Sequence, residues 1–201
     1  MDDDWVPFLR EEFLTPNYNP STLHKKIFDL NQRIVISLNF DEIYEKYARN
    51  ITDQNISVKK YNETDSYQFL RDDNYYIIKA HGDINEPNNI IFTKKDYSES
   101  RVKYSHFYDV LDACFLSHTL LFIGCGIDDP DFNLILENQN FKYPEAQSHY
   151  LFAPQATHQD MQDSLKKNRN IKCITYKSRN NHKELEYLID DMVFEIENKL
   201  S

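Results

Sequence analysis

The sequence predicts an α/β fold: an open, mainly parallel sheet with helices on both faces. Two observations carry the prediction. Five short apolar runs of strand length recur along the chain: "RIVISL" (33–38), "YYIIKA" (75–80), "TLLFIG" (119–124), "HYLFAP" (149–154) and "IKCITY" (171–176). They are mostly β-branched or aromatic, as strands are. Between them lie amphipathic stretches with helical spacing. Strands that are apolar throughout, rather than on alternate residues, are covered on both faces, which is the habit of parallel sheets. The general layout is Rossmann-like.

Each element has its own justification. Asn39 and Asp41, directly after the first apolar run, are preferred helix-start residues for the helical stretch "FDEIYEKYAR". In "VKYSHFYDVLDACFLSHT", Phe107, Val110, Leu111, Cys114 and Phe115 fall on one helical face. In the last segment Leu185, Leu188, Ile189, Met192, Val193 and Ile196 do the same, and Asn181 with Glu184 resembles a capping box. Asp129 followed by Pro130 reads as an N-cap with proline at the first helical position. Residues 1–20 form an N-terminal extension or helical remnant before an α/β core over 21–201. No internal repeat, low-complexity tract or clear linker interrupts the chain, so its 201 residues read as one domain.

Composition excludes several classes. The formal net charge is −10, which gives little counterion-release affinity for nucleic acid and disfavours it as a direct ligand. No apolar run approaches bilayer length, and the acidic start "MDDDWVPFLREEFLT" lacks the basic opening of a signal peptide. Cys114, Cys125 and Cys173 are sparse, odd in number and without a CxxC pair, as expected of reduced thiols in a cytoplasmic protein. No metal is expected. Asp128, Asp129 and Asp131 are better explained by the helix start than as ligands.

Glycine use is the sharpest local signal. A chain of this length would ordinarily hold about fourteen, yet this one has three: Gly82, Gly124 and Gly126. All follow apolar runs, where ligands bind in open α/β sheets. The first run ends in Asn39, Phe40 and Asp41, the second in His81, Gly82 and Asp83, the third in Gly124, Cys125 and Gly126. An amide, a carboxylate, an imidazole and bare backbone thus collect at strand ends. Each member also has a structural explanation: Asn39 and Asp41 as helix caps, His81 as a hydrogen-bonded core histidine, and the glycines as a tight strand–helix turn. His24, His106, His118, His149, His158 and His182 fall on helical or loop patterns with no partner at ligand spacing. No Ser-His-Asp order, HExxH or P-loop is present.

"IVISLNFDEIYE", "YYIIKAHGDINEPNNIIFTKKDY" and "LLFIGCGIDDPDF", in that order, resemble the sirtuin-like NAD-cleaving domains found in many bacterial anti-phage defence proteins. The family pattern is Thr-Thr-Asn-Tyr-Asp, then Leu-His-Gly with a later Thr-x-x-Asp-Tyr, then Gly-x-Ser-x-x-Asp. Asn39 and Asp41 match the first motif, with Ser37, Leu38 and Phe40 at its other positions. His81 and Gly82 match the second, followed by Thr93, Asp96 and Tyr97. Gly124 matches the third, whose serine is here Gly126. The resemblance covers about residues 20 to 195.

Two departures qualify what it implies. Only Cys114 lies between Asn39 and Gly124, so the four-cysteine zinc module of the deacetylase branch is absent, which favours NAD hydrolysis over deacylation. No glycine precedes Gly82, so the family's first strand and its glycine-rich phosphate loop are missing, and the chain looks N-terminally incomplete. In the family that strand lies between the "ISLN" and "LFIG" strands. Unpaired strand edges are costly, so the expectation is that the gap is closed by rearranged pairing, by a partner chain or second copy, or by residues outside this sequence.

The resemblance implies an NAD⁺ hydrolase releasing nicotinamide and ADP-ribose, with NAD as substrate. It assigns His81 as base, Asn39 as the group that orients water and ribose hydroxyls, and Asp41 as the stabiliser of developing positive charge. Gly82, Gly124, Cys125, Gly126 and Asp128 would line the cofactor. The competing expectation is a non-catalytic nucleotide-binding or assembly module that has lost the phosphate loop.

Overall fold

The computed structural model describes residues 4–200, and its chain divides between Tyr108 and Asp109 into two compact units. Both are α/β with parallel sheets, as expected. The first holds α1 (Trp5–Phe13), α2 (Thr22–Asp29), β1 (Ile34–Ser37), α3 (Ile43–Ile51), β2 (Ser57–Lys60), β3 (Tyr76–Lys79) and α4 (Lys94–Lys103), with α5 (Ser105–Ser117) crossing the division. The second holds β4 (Leu121–Phe122), α6 (Pro130–Lys142), β5 (His149–Pro154), α7 (Gln159–Arg169), β6 (Ile171–Tyr176) and α8 (Arg179–Leu200).

In the first unit β3 lies between β1 and β2, parallel to both. Its central place explains its sequence: Tyr76, Ile77, Ile78 and Lys79 are all buried. β2 is a strand that apolar patterning does not mark, because "SVKK" holds a single apolar residue. It is an edge strand whose lysines are paired, Lys59 with Asp65 at 2.6 Å and Lys60 with Glu86. Charged residues on an edge guard against stray pairing. The segment ahead of the core contains α1, whose buried Leu9 joins Ile84 and Ile90 in a small cluster against Trp5 and Phe40. The first three residues of the expected N-terminal extension lie outside the described residues.

In the second unit β5 pairs with β4 on one side and β6 on the other, again in parallel. β5 and β6 coincide with the fourth and fifth apolar runs. The third run is shorter than its composition suggests: only Leu121 and Phe122 pair, and Gly124 turns out of the strand at φ +66°. The reading of Asp129-Pro130 as a helix start holds, with Asp129 Oδ1 accepting from the Asp131 and Phe132 amides at 3.1 and 2.8 Å. The capping box expected from Asn181 and Glu184 does not form. Asn180, Asn181 and His182 are left-handed, and Glu184 reaches back past them to accept from the Lys177 amide at 2.9 Å. His149 is the first residue of β5, where the fourth apolar run begins, and is 6% exposed.

β1 and β4 are edge strands of their own sheets. Among the described residues each pairs on one side only, β1 with β3 and β4 with β5.

Candidate functional site

Register brings two strand ends of the first unit side by side. Ser37 of β1 stands opposite Lys79 of β3, so Asn39 and His81 each lie two residues beyond a paired position on adjacent strands. Neighbouring strands are about 4.8 Å apart. The turns that follow are also tied to each other. The Ile84 amide donates to the Phe40 carbonyl at 2.9 Å, and the Lys79 ammonium donates to the carbonyl of Asp41.

Lys79 carries more than that contact. It is fully buried, and its Nζ lies 2.7 Å from Oε1 of Glu45, itself 2% exposed on α3. Burial pushes the Glu45 carboxyl above its usual range, and the Lys79 ammonium opposes that shift. The pair fastens α3, the Asn39–Asp41 turn and β3 into one frame. Nothing in the apolar patterning singles out Lys79 or Glu45. The available signal was a lysine at the end of an otherwise apolar strand.

The frame separates functional from structural explanations. α3 begins at Ile43, so Asn39 is too far upstream to cap it. The Asn39 side chain is exposed and has no protein partner among the described residues. Asp41 keeps a structural duty, its Oδ1 accepting from the Ile43 amide at 2.9 Å, while no described residue engages Oδ2. His81 is 7% exposed and meets the Tyr97 ring edge-on at 5.4 Å, and its carbonyl accepts from the Ile91 amide. Tyr97 is held by a local device. Thr93 and Asp96 form a reciprocal capping box at the start of α4, with Asp96 N to Thr93 Oγ1 at 3.2 Å and Thr93 N to Asp96 Oδ2 at 2.7 Å. The Thr-x-x-Asp-Tyr sequence therefore sets the aromatic wall of the histidine.

Gly82 follows with φ +85°, and a Cβ there would fall 2.5 Å from the carbonyl oxygen of Asn89. That oxygen is fixed by the Tyr61 hydroxyl, which donates to it at 2.8 Å. Only glycine fits.

The second unit holds the other expected residues. Gly124, Gly126 and Asp128 are exposed at the end of β4, and Cys125 is partly covered, with burial pushing its thiol up. Gly124 needs its glycine for conformation, since a Cβ would meet nothing within 4 Å. At Gly126 the nearest atom is Oδ2 of Asp128, at 3.1 Å from such a Cβ. Among the described residues no group of three or more His, Cys, Asp or Glu is placed to hold a metal ion.

These motifs coincide with a family match. The family model for the SIR2-like domain matches residues 33–174, from β1 through most of β6. The chain belongs to the SIR2-like domain family. Among curated proteins it is similar to the NAD(+) hydrolase ThsA of Acinetobacter baumannii, with 27% identity over 65% of this chain and 27% of that protein. It is similar to the NAD(+) hydrolase ThsA of Bacillus cereus at 29% identity over 71% of this chain and 29% of that protein. It also resembles the defense-associated sirtuin 2 of Bacillus subtilis, at 24% identity over 63% of this chain and 12% of that protein. The matched region spans under a third of each of these relatives. No helix among the described residues is long and apolar enough to cross a membrane.

Proposed function

We propose that this SIR2-like domain hydrolyses NAD⁺ to nicotinamide and ADP-ribose, with Asn39, Asp41 and His81 as the reacting groups, in bacterial defence against phage. One observation carries the reading: the paired register of β1 and β3 sets Asn39 and His81 on adjacent strand ends, with the Asn39 side-chain amide and Oδ2 of Asp41 accepting and donating no hydrogen bond among the described residues. The names of the similar NAD(+) hydrolases and of the defence sirtuin support the substrate and the setting.

The chemistry suits these groups. Nicotinamide leaves as a neutral molecule from a cationic ring, so departure needs no general acid, and the transition state has oxocarbenium character. The open Oδ2 of Asp41 stabilises that charge. The Asn39 amide donates and accepts at once, which orients water and a ribose hydroxyl. His81, backed by Tyr97, takes the proton from the attacking water. Gly82 lies beside these groups and leaves room for the cofactor. In this reading the free edges of β1 and β4 are completed by another chain or a second copy.

The test is nicotinamide release from NAD⁺ by the purified chain beside His81→Ala and Asn39→Ala. Loss of a general base or water-orienting group lowers turnover by about 10²-fold or more. Release that survives both changes removes the assignment. No release, with NAD⁺ still raising the melting temperature, supports the non-catalytic binding module instead.

A further inference from the structure

At the start of its strands, the end opposite Gly124, the second unit contains a cavity of about 290 Å³. His118 and Thr119 precede β4, His149 opens β5 and Asn170 precedes β6, and all four line it. β5 is six residues long, so about 16 Å separates this cavity from the glycine end. Nothing in the proposed NAD chemistry uses it.

The protonation of two histidines follows from their bonds. Nδ1 of His149 accepts from the Leu120 amide at 3.1 Å, so the proton of its neutral ring is on Nε2. Burial lowers the pKa of this ring and keeps it neutral. The side chain is more than nine-tenths buried, faces the cavity, and its Nε2–H has no acceptor among the described residues. Phe115 and Phe122 lie edge-on to it, each at 6.5 Å, and offer none. His118 is the complement. Its Nδ1 lies 3.2 Å from the Cys114 carbonyl, which can only accept, and 2.9 Å from Ser117 Oγ, whose own proton goes to the Ala113 carbonyl at 2.7 Å, so in the neutral ring Nδ1 carries the proton and Nε2 is an acceptor.

The wall therefore offers a donor and an acceptor, beside the apolar surfaces of Phe115 and Tyr143. It does not suit an anion. Arg169 is the only cation among the lining residues, and Glu137 already engages its Nε at 3.1 Å and Nη2 at 3.0 Å. We propose that this cavity is a second ligand site, which binds a neutral heteroaromatic ring through a lactam edge. A lactam's carbonyl accepts from His149 Nε2–H while its ring N–H donates to His118 Nε2. The ligand class is an oxo-nucleobase of the uracil or hypoxanthine type, which fits a cavity at the small end of the ligand-site range.

The experiment is titration of the purified chain with uridine and with inosine, followed by ligand-observed NMR and calorimetry. N3-methyluridine, which lacks the lactam N–H, is the chemical control. His149→Asn keeps an oxygen near the position of Nδ1 for the Leu120 amide but removes the Nε2–H donor. Ala146→Trp fills the cavity without touching either histidine's hydrogen bond. Saturable binding of uridine or inosine is expected, weakened about tenfold or more by His149→Asn, by Ala146→Trp and by N3-methylation, and unchanged by His81→Ala. If His149→Asn fails to fold, Ala146→Trp and the methylated control carry the test. Absence of binding by both nucleosides at about 10 mM overturns the proposal. So does equal binding of N3-methyluridine, or binding lost with His81→Ala and kept with Ala146→Trp. None of these outcomes depends on whether the chain hydrolyses NAD⁺.

Discussion

Gly82 and Gly124 follow the ends of β3 and β4, one in each compact unit, and both have positive φ, +85° and +66°. Their surroundings are opposite. A side chain at Gly82 would strike the Asn89 carbonyl at 2.5 Å, whereas one at Gly124 would meet no protein atom within 4 Å. The first glycine lets two segments of backbone close on each other. The second leaves open space. The difference extends to the whole strand ends. In the first unit the turns after β1 and β3 are fastened by the Ile84 amide and the Lys79 ammonium. In the second unit a cross-strand side-chain brace lies at the other end, where His149 Nδ1 accepts from the Leu120 amide. A braced strand end can hold reacting groups in fixed geometry, and a bare one can admit the bulk of a ligand.

The strongest way to break the comparison is to remove the brace of the first unit. Lys79→Met leaves the Glu45 carboxylate buried and uncompensated, and loss of one partner of a buried ion pair costs about 3–5 kcal/mol. Lys79→Met with Glu45→Met removes both charges and should restore much of that stability in urea unfolding. Under the proposed hydrolysis of NAD⁺, nicotinamide release should not return with it, because the Asp41 carbonyl still lacks its donor. A double variant as unstable as the single one would show that the pair is not the source of the cost.

The glycines sharpen the contrast at smaller amplitude. Gly82→Ala meets both the left-handed penalty and a clash with fixed backbone, and should cost about 3 kcal/mol or more. Gly124→Ala meets only the conformational penalty, about 1–2 kcal/mol. Equal destabilisation of the two, measured by urea midpoint, would mean that the Asn89 carbonyl yields and the first strand end is less closed than its geometry shows.

Legibility in the sequence followed the same division. β5 and β6 were readable to the residue because buried parallel strands are continuous apolar runs. β2 was not, since an edge strand stabilised by Lys59–Asp65 and Lys60–Glu86 has no such run. Asn39, Asp41, His81 and Gly82 were legible as site candidates because polar residues and a rare glycine interrupt apolar strands. Their supports were not. Lys79 and Glu45 reveal themselves only when packing brings α3 over β3, and the Thr93–Asp96 box acquires meaning only when Tyr97 is seen against His81. The failed Asn181–Glu184 box shows the limit of short motifs, since three left-handed residues there redirect Glu184 to Lys177. The role of His149 was not legible for a related reason. Its role is a single bond to the start of a neighbouring strand, 29 residues away.

That bond gives the smallest effect and a signed one. Burial holds the folded pKa of His149 below its ordinary value of 6.5, so at mildly acidic pH the unfolded chain binds a proton that the folded chain refuses. Stability contributed by the neutral ring is therefore intact above pH 6.5 and is lost as pH falls below it toward the folded pKa. The cause is local: protonation of Nδ1 abolishes the acceptor that takes the Leu120 amide. One proton gives a slope of at most about 1.4 kcal/mol per pH unit. His24, whose pKa burial also lowers, adds a slope of its own, so the readout is the difference between the wild-type chain and His149→Asn, measured by urea unfolding from pH 7.5 downward. The difference should be flat above pH 6.5 and shrink below it, as the wild type loses what the asparagine never had. Parallel curves across the range would place the brace of the second unit somewhere other than His149.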